Sequence, residues 1–158
     1  MLPHHHQVEL AVTVSIVAGS ALLFVYWFRY TCLLILSAKT ACDYTRDVAA
    51  ANQLSFLDVQ ARLRERSFVD LDPLHAALER DHSVITYLLK NAAHSGAEES
   101  SLEAQMLEMY YRLMGAWYRA SKPFSAQAAC RALEQMSSVV EHFANVMGER
   151  AAFASSAA

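Results

Sequence analysis

Glycine and proline are scarce, four and three among 158 residues. So few turn-formers cannot punctuate a many-stranded β fold, and the long stretches lacking both are left to helices. Lysine and arginine are absent ahead of Arg29, and charge of either sign is absent from Leu10 to Phe28. There is no basic excess: thirteen basic against sixteen acidic residues give a net charge of −3. Setting aside Arg29 and Glu9 leaves twelve and fifteen from Lys39 onward, again −3, which excludes a nucleic-acid-binding domain with a basic face. Cysteine is limited to Cys32, Cys42 and Cys130, an odd set without close spacing and so no disulfide framework. Cys32 and Cys42, on what should be one helix, would stand about 15 Å apart, beyond the ~7 Å reach of a bridge. All three read as reduced thiols.

Catalytic signatures are missing too. The chain has no Gly-rich phosphate loop, no G-x-S-x-G elbow and no C-x-x-C pair. Leu10–Ala38 contains no His or Met to hold a haem between membrane helices. The expectation is a non-enzymatic protein without a cofactor.

What is present begins with Leu10–Phe28, LAVTVSIVAGSALLFVYWF, nineteen residues with a single Gly. At about 1.5 Å per residue it reaches roughly 28 Å, close to the hydrocarbon thickness of a bilayer. A cleaved leader fits poorly, because MLPHHHQVE supplies no Lys or Arg and the apolar run exceeds an ordinary h-region. His4–His6 is too short a tract to assign as native or added. Tyr26, Trp27 and Tyr30 cluster at the C-terminal end of the run, where rings favour the headgroup layer and Arg29 can snorkel. Arg29, Lys39 and Arg46 all follow the run, so the positive-inside rule expects residues 1–9 outside and the remainder in the cytoplasm. Ser15-x3-Gly19 is a small-xxx-small pair that permits close approach of a second membrane helix.

The apolar character continues through a neck, Tyr30–Ala38, too short for a second crossing. Its Leu33, Leu34, Ile35 and Leu36 are expected to meet either lipid through helix tilt or another protein. From Lys39 to Asn52 the pattern turns amphipathic, with Ala41, Tyr44, Val48 and Ala51 on one face. Without Pro or Gly between Ser20 and Asn52, one rod from Leu10 to Asn52 is expected, roughly 64 Å long.

Residues 39–150 read as a helical bundle. Ser55-Phe-Leu-Asp58 resembles a capping signal for a short helix with Phe56, Val59 and Leu63 inward. Arg62, Arg64 and Arg66 could meet anionic lipid or an acidic partner, but they spread around the helix as a solvated face does. Asp72-Pro73 predicts a helix start with Asp72 as N-cap, and the helix should run to about His94 on Leu74, Leu78, Ile85, Leu88 and Leu89. Ser95–Glu99 reads as a loop with Gly96 at its cap, and Ser100-Ser-Leu-Glu103 as a capping box. The next helix carries two stripes: Leu102, Met106, Met109/Tyr110, Leu113 and Trp117, and beside it Leu107, Tyr111, Met114 and Tyr118. A helix this apolar is central in its bundle or covered by a partner. Glu108 and Arg112 are spaced as an i,i+4 pair. Lys122-Pro123-Phe124 ends it, and Ser125 caps a last helix to about Arg150 on Ala129, Leu133, Met136, Val140, Phe143 and Met147. Ala151–Ala158 should fray.

Chemistry-bearing candidates are few. His75, Glu79 and His82 recur at i, i+4, i+7 and could converge on a metal; Glu79-x-x-His82 is half of a di-iron carboxylate signature. A second E-x-x-H is missing, and Glu103, Glu108, Glu134 and Glu141 fall on polar faces, so no metal is assigned. His94 suits a helix end and His142 a surface. Cys130 suits helix packing better than nucleophilic attack. The Met- and Tyr-rich helix Leu102–Tyr118 could line an apolar pocket, though such stripes are usually plain core.

The resulting expectation is an all-α protein with a single N-terminal transmembrane helix and neck (residues 10–38), leading into a cytoplasmic antiparallel bundle of four to five helices. Its function would be that of an accessory or scaffold subunit of a membrane complex. Its partners would be the bilayer and other membrane subunits or a second copy, met through Ser15, Gly19, Arg29 and Leu33–Leu36. The alternatives are a membrane-tethered sensor or apolar-ligand-binding bundle, and, behind that, a metal-dependent enzyme built on His75, Glu79 and His82.

Overall fold

A computed structural model describes residues 3–38, 42–65, 70–93 and 102–156. The described residues form six helices and no strand: α1 (Pro3–Ser37), α2 (Thr45–Asn52), α3 (Phe56–Glu65), α4 (Asp72–Ala93), α5 (Leu102–Ser121) and α6 (Ala126–Ser156). The chain divides into two compact units, Met1–Ser37 and Ala38–Ala158.

The first unit is α1. Its Gln7–Ser37 portion is 31 residues long and apolar enough to cross a membrane. From Val8 to Trp27 its large apolar side chains stand exposed: Val8, Leu10, Ile16, Leu22, Phe24 and Trp27 are each at least 60% accessible. Apolar residues surround the axis on every side, so no face is distinguished for burial against a partner helix. The hydroxyls of Thr13 and Ser15 bond back to the carbonyls of Glu9 and Ala11, which satisfies both within the helix.

The expected rod from Leu10 to Asn52 is interrupted. α1 ends at Ser37, residues 42–44 are not helical, and α2 starts afresh at Thr45. The cause is local. Asp43 Oδ1 accepts hydrogen bonds from both the backbone N–H and the hydroxyl of Thr45, an Asx turn that offers the backbone an alternative to helix. The Tyr44 N–H donates to Asn145 Oδ1 on α6 at 2.9 Å, which ties the break to the core. The new start also changes the phase: Thr45, Val48 and Ala49 are buried, while Ala51, expected inward, is exposed.

In the second unit α6 is the axis, and α2, α3, α4 and α5 all pack against it. Its expected stripe of Ala129, Leu133, Met136, Val140 and Phe143 is buried, and Met147 is half-buried. Because four helices surround it, Cys130, Ala132, Val139 and Ala144 are buried as well. Gly148 marks the closest approach. A Cβ there would overlap Tyr44 Cβ and sit 2.9 Å from Tyr44 Cγ, so only glycine lets the α2 start lie on α6. The helix continues to Ser156, so residues 151–156, expected to fray, extend it instead. Ala129 N–H donates to the Ser125 carbonyl and Ala128 N–H to its hydroxyl, the cap anticipated there.

α3 buries Phe56, Val59 and Leu63 as expected, but its start is held differently. The Ser55 N–H donates to Asp81 Oδ2 of α4 at 2.5 Å, not to Asp58, and Ser55 Oγ accepts from Arg80 at 2.7 Å. Just before it, Gln53 adopts the left-handed conformation (φ 52°, ψ 45°), and the Leu54 N–H bonds the Ala49 carbonyl, a Schellman closure without glycine. In α4, Asp72 is the first helical residue rather than the cap. Its own N–H is held by Asp70 Oδ1, which frees its carboxylate for α5. The expected loop Ser95–Glu99, the capping box at Ser100 and Ser101, and His94 lie outside the described residues.

Candidate functional site

α4 and α5 both lean on α6, and among the described residues no Cα of one comes within 8 Å of the other. Side chains close that gap. His75 stacks on Tyr118 with ring centroids 4.6 Å apart, and His82 stacks on Tyr111 at 3.8 Å and 5°. Tyr118 donates its hydroxyl to Asp72 Oδ1 at 2.7 Å, and Lys122 pairs with Asp72 Oδ2. Arg119 pairs with Glu79 at 2.9 Å, and His82 Nε2 lies 2.9 Å from Glu108 Oε2. The spacing explains the register. His75 and His82 are seven residues apart on α4, as are Tyr111 and Tyr118 on α5, so each imidazole meets one phenol two turns along.

His75, Glu79 and His82 therefore share a face of α4, as their spacing implies, but they do not converge. Glu79 lies 3.6 Å from His75 and is held by Arg119, while His82 turns to Glu108. No group of three or more His, Cys, Asp or Glu among the described residues could hold a metal ion. Glu108, expected on a polar face, is only 28% accessible and faces both His82 and its i,i+4 partner Arg112, the latter at 2.9 Å.

Burial sets the electrostatics. It lowers the pKa of His75 and His82 below the ordinary imidazole value, against the pull of Glu79 and Glu108. Burial raises both phenols, Tyr111 and Tyr118, the latter helped by the Asp72 carboxylate it donates to. Lys122 and Tyr118 hold Asp72 below the usual carboxylate range. Three buried atoms here, His75 Nε2, Thr86 Oγ1 and Tyr111 Oη, have no hydrogen-bond partner among the described residues, and such groups in soluble domains take ordered water. The result is a seam of neutral rings and neutralised charges. It fixes α4 relative to α5.

The surfaces available for contact lie elsewhere. On α1, Ser15 and Gly19 are exposed, and open space surrounds Gly19 out to 4 Å. Arg29 is exposed, Leu34 is 51% accessible, and Leu33, Ile35 and Leu36 are partly covered. On α5 the two expected stripes separate. Leu107, Tyr111, Met114 and Tyr118 are buried, whereas Leu102 (72% accessible), Met109 (61%), Leu113 (42%) and Trp117 (56%) face outward; of that same expected stripe, Met106 is half-buried and Tyr110 is fully buried, its hydroxyl donating to Gln135 of α6. Among the described residues α6 is the only helix backbone close to α5, and the apolar face covered is the one turned to α6 and to the α4 side chains. The pattern of two stripes was in the sequence; which of them would stay open depended on the number of neighbours, which no periodicity reveals.

Two clefts in this unit, of about 300 and 200 Å³, are lined by Cys42, Tyr44 and the end of α6, and by α3 and α6; α5 contributes to neither. Comparison with known protein families, curated proteins and solved structures finds no match.

Proposed function

We propose that this is a non-enzymatic single-pass membrane protein, an accessory or scaffold subunit of a membrane complex. α1 crosses the bilayer with residues 1–9 outside, and α2–α6 form a cytoplasmic antiparallel bundle that presents α5 to other subunits. The exposed stripe of Leu102, Met109, Leu113 and Trp117 carries this reading. Contiguous apolar patches of a few hundred Å² mark interaction surfaces when they occur on soluble domains.

α1 supports it by its length. Its 31-residue portion Gln7–Ser37 reaches about 46 Å against a hydrocarbon core of about 30 Å. Burying all of it would need a tilt near 50°, outside the observed range of about 0–40°. Part of the helix therefore projects, and the neck with Leu33–Leu36 is the part that meets protein. The buried α4–α5 seam supports the non-enzymatic assignment, because its rings and charges are spent on one another.

Crosslinking of the full chain in its native membrane tests this. Photo-reactive groups at Leu34 and Leu113 should each capture a defined protein, and L113E should lose the capture at α5 while keeping its helical circular dichroism. Capture of nothing but lipid at both positions, with a monodisperse monomer in mild detergent, overturns the reading.

A further inference from the structure

The outward face of α5 has a finer pattern than a simple apolar stripe. Leu102, Met106, Met109, Leu113, Ala116 and Ala120 follow one another at alternating steps of four and three. Such steps describe the seam of one helix laid along another, since a 3.5-residue repeat keeps a single line facing a partner helix. Along this line Leu102, Met109, Leu113, Ala116 and Ala120 are exposed and Met106 is half-buried. A surface that only rested on lipid would need no such line.

The side chains taper in size along it. The first four are Leu, Met, Met and Leu, and the last two are Ala. Two such helices side by side in the same direction would set alanine on alanine, leaving voids, and bulk on bulk. Reversed about a two-fold axis beside Tyr111, they bring large onto small. Leu102 then faces Ala120 of the partner subunit, Met106 faces Ala116 of the partner subunit, and Met109 faces Leu113 of the partner subunit. Such a contact is isologous, the same patch used by both copies.

Charge favours the same occupant. The arginines beside the line, Arg112 and Arg119, are paired within the chain to Glu108 and Glu79, each at 2.9 Å. On their side of the line the rim is therefore close to neutral. It offers an anionic lipid surface little attraction, and it lets two copies approach at Arg112 without a large like-charge penalty.

We infer that α5 is a self-docking face, and that two copies of this chain pair through antiparallel α5 helices. This rests on the membrane-subunit reading above. The stripe spans about 27 Å of helix, a short seam. Confinement of both copies to one bilayer by α1 raises their effective concentration enough for such a contact to form.

The test is disulfide formation between full-length chains reconstituted in phosphatidylcholine vesicles, with the exposed Cys42 changed to Ser. Two differently tagged preparations are mixed, one carrying M106C and the other A116C. Antiparallel pairing places these two positions opposite each other, whereas the two copies of position 106 stand about 15 Å apart along the axis, beyond disulfide reach. Mild oxidation should give mixed-tag dimers at least tenfold over same-site dimers, and adding L113E to both chains should abolish them. L102C with A120C, both at exposed positions, should behave identically and serves if the first pair folds poorly. Dominant same-site crosslinks, dimers that survive L113E, or no crosslink above background in helical protein each overturn the inference. In a W27F background, a shift of Trp117 fluorescence on adding phosphatidylserine, without crosslinking, would assign the face to lipid instead. Loss of self-pairing alongside retained capture of another subunit in native membranes would leave the scaffold reading standing.

Discussion

Two glycines that look alike in the sequence differ at the scale of single atoms. Gly115 sits on α5 where an added methyl would meet Met136 Cε at 3.7 Å and His75 Nε2 at 4.0 Å, ordinary contacts. Gly148 sits on α6 where the same methyl would overlap Tyr44 and come 3.2 Å from Val48 Cγ2. G115A should therefore be neutral, or stabilising by up to ~1 kcal/mol through helix propensity. G148A should cost about 1–3 kcal/mol, because the α2 start must move off α6 and strain the Tyr44–Asn145 hydrogen bond. Thermal unfolding of the full-length variants checks both. Equal melting temperatures for the two would show that the close approach at Gly148 is not what holds α2. Neither outcome could be read from the sequence, which shows a glycine in a helix but not what crosses it.

At the scale of helices, much was legible, and the failures share a cause. Lys122-Pro123-Phe124 and Ser125 fixed the α5–α6 break because Pro removes a donor and Ser supplies an acceptor locally. The α3 and α6 faces followed from periodicity because one face of α3 and the main stripe of α6 turn inward regardless of what covers them. The α1–α2 break was missed because it depends on a side-chain turn at Asp43 and an anchor, Asn145, a hundred residues away. The Asp43-x-Thr45 spacing was the one local signal that could have located it. Asp81 was passed over for the same reason. It is fully buried, and nothing near it in sequence announces that it closes the start of α3. D81A should cost about 2–4 kcal/mol, since it strands the Ser55 N–H and removes the carboxylate partner of Arg80. D81N, which keeps an acceptor for Ser55, should cost clearly less. Chemical denaturation of the two variants separates them, and an equal loss would mean that the α2–α3 turn is held by packing alone. Among the site candidates, the shared face of His75, Glu79 and His82 was legible, but their division between Tyr118, Arg119 and Glu108 required α5.

Taken over the whole molecule, burial gives three histidines a common direction. His75 faces Glu79, Arg119, Asp72 and Lys122. His82 faces Glu108, Arg112 and Lys90. His142 faces Glu103 and Glu149. In all three the largest influence is burial, which lowers the pKa below 6.5. A histidine whose folded pKa is lowered binds its proton first in the unfolded chain. Stability is then constant above about pH 7 and falls as pH drops below about 6.5, by up to ~1.4 kcal/mol per pH unit for each group until its folded pKa is reached. The melting temperature of the full chain in detergent should fall steadily between pH 7 and 5. A flat profile would show that the three rings titrate alike in both states.

The proposed role requires α1 to reside in lipid, since only then would the domain be held at a membrane and its α5 face concentrated there. Alkaline carbonate extraction of membranes holding the full chain measures this most directly. The intact polypeptide should remain with the lipid pellet after the wash, as a bilayer-spanning helix does. Its recovery in the aqueous supernatant, or a mature form beginning after Ala38, would contradict the account.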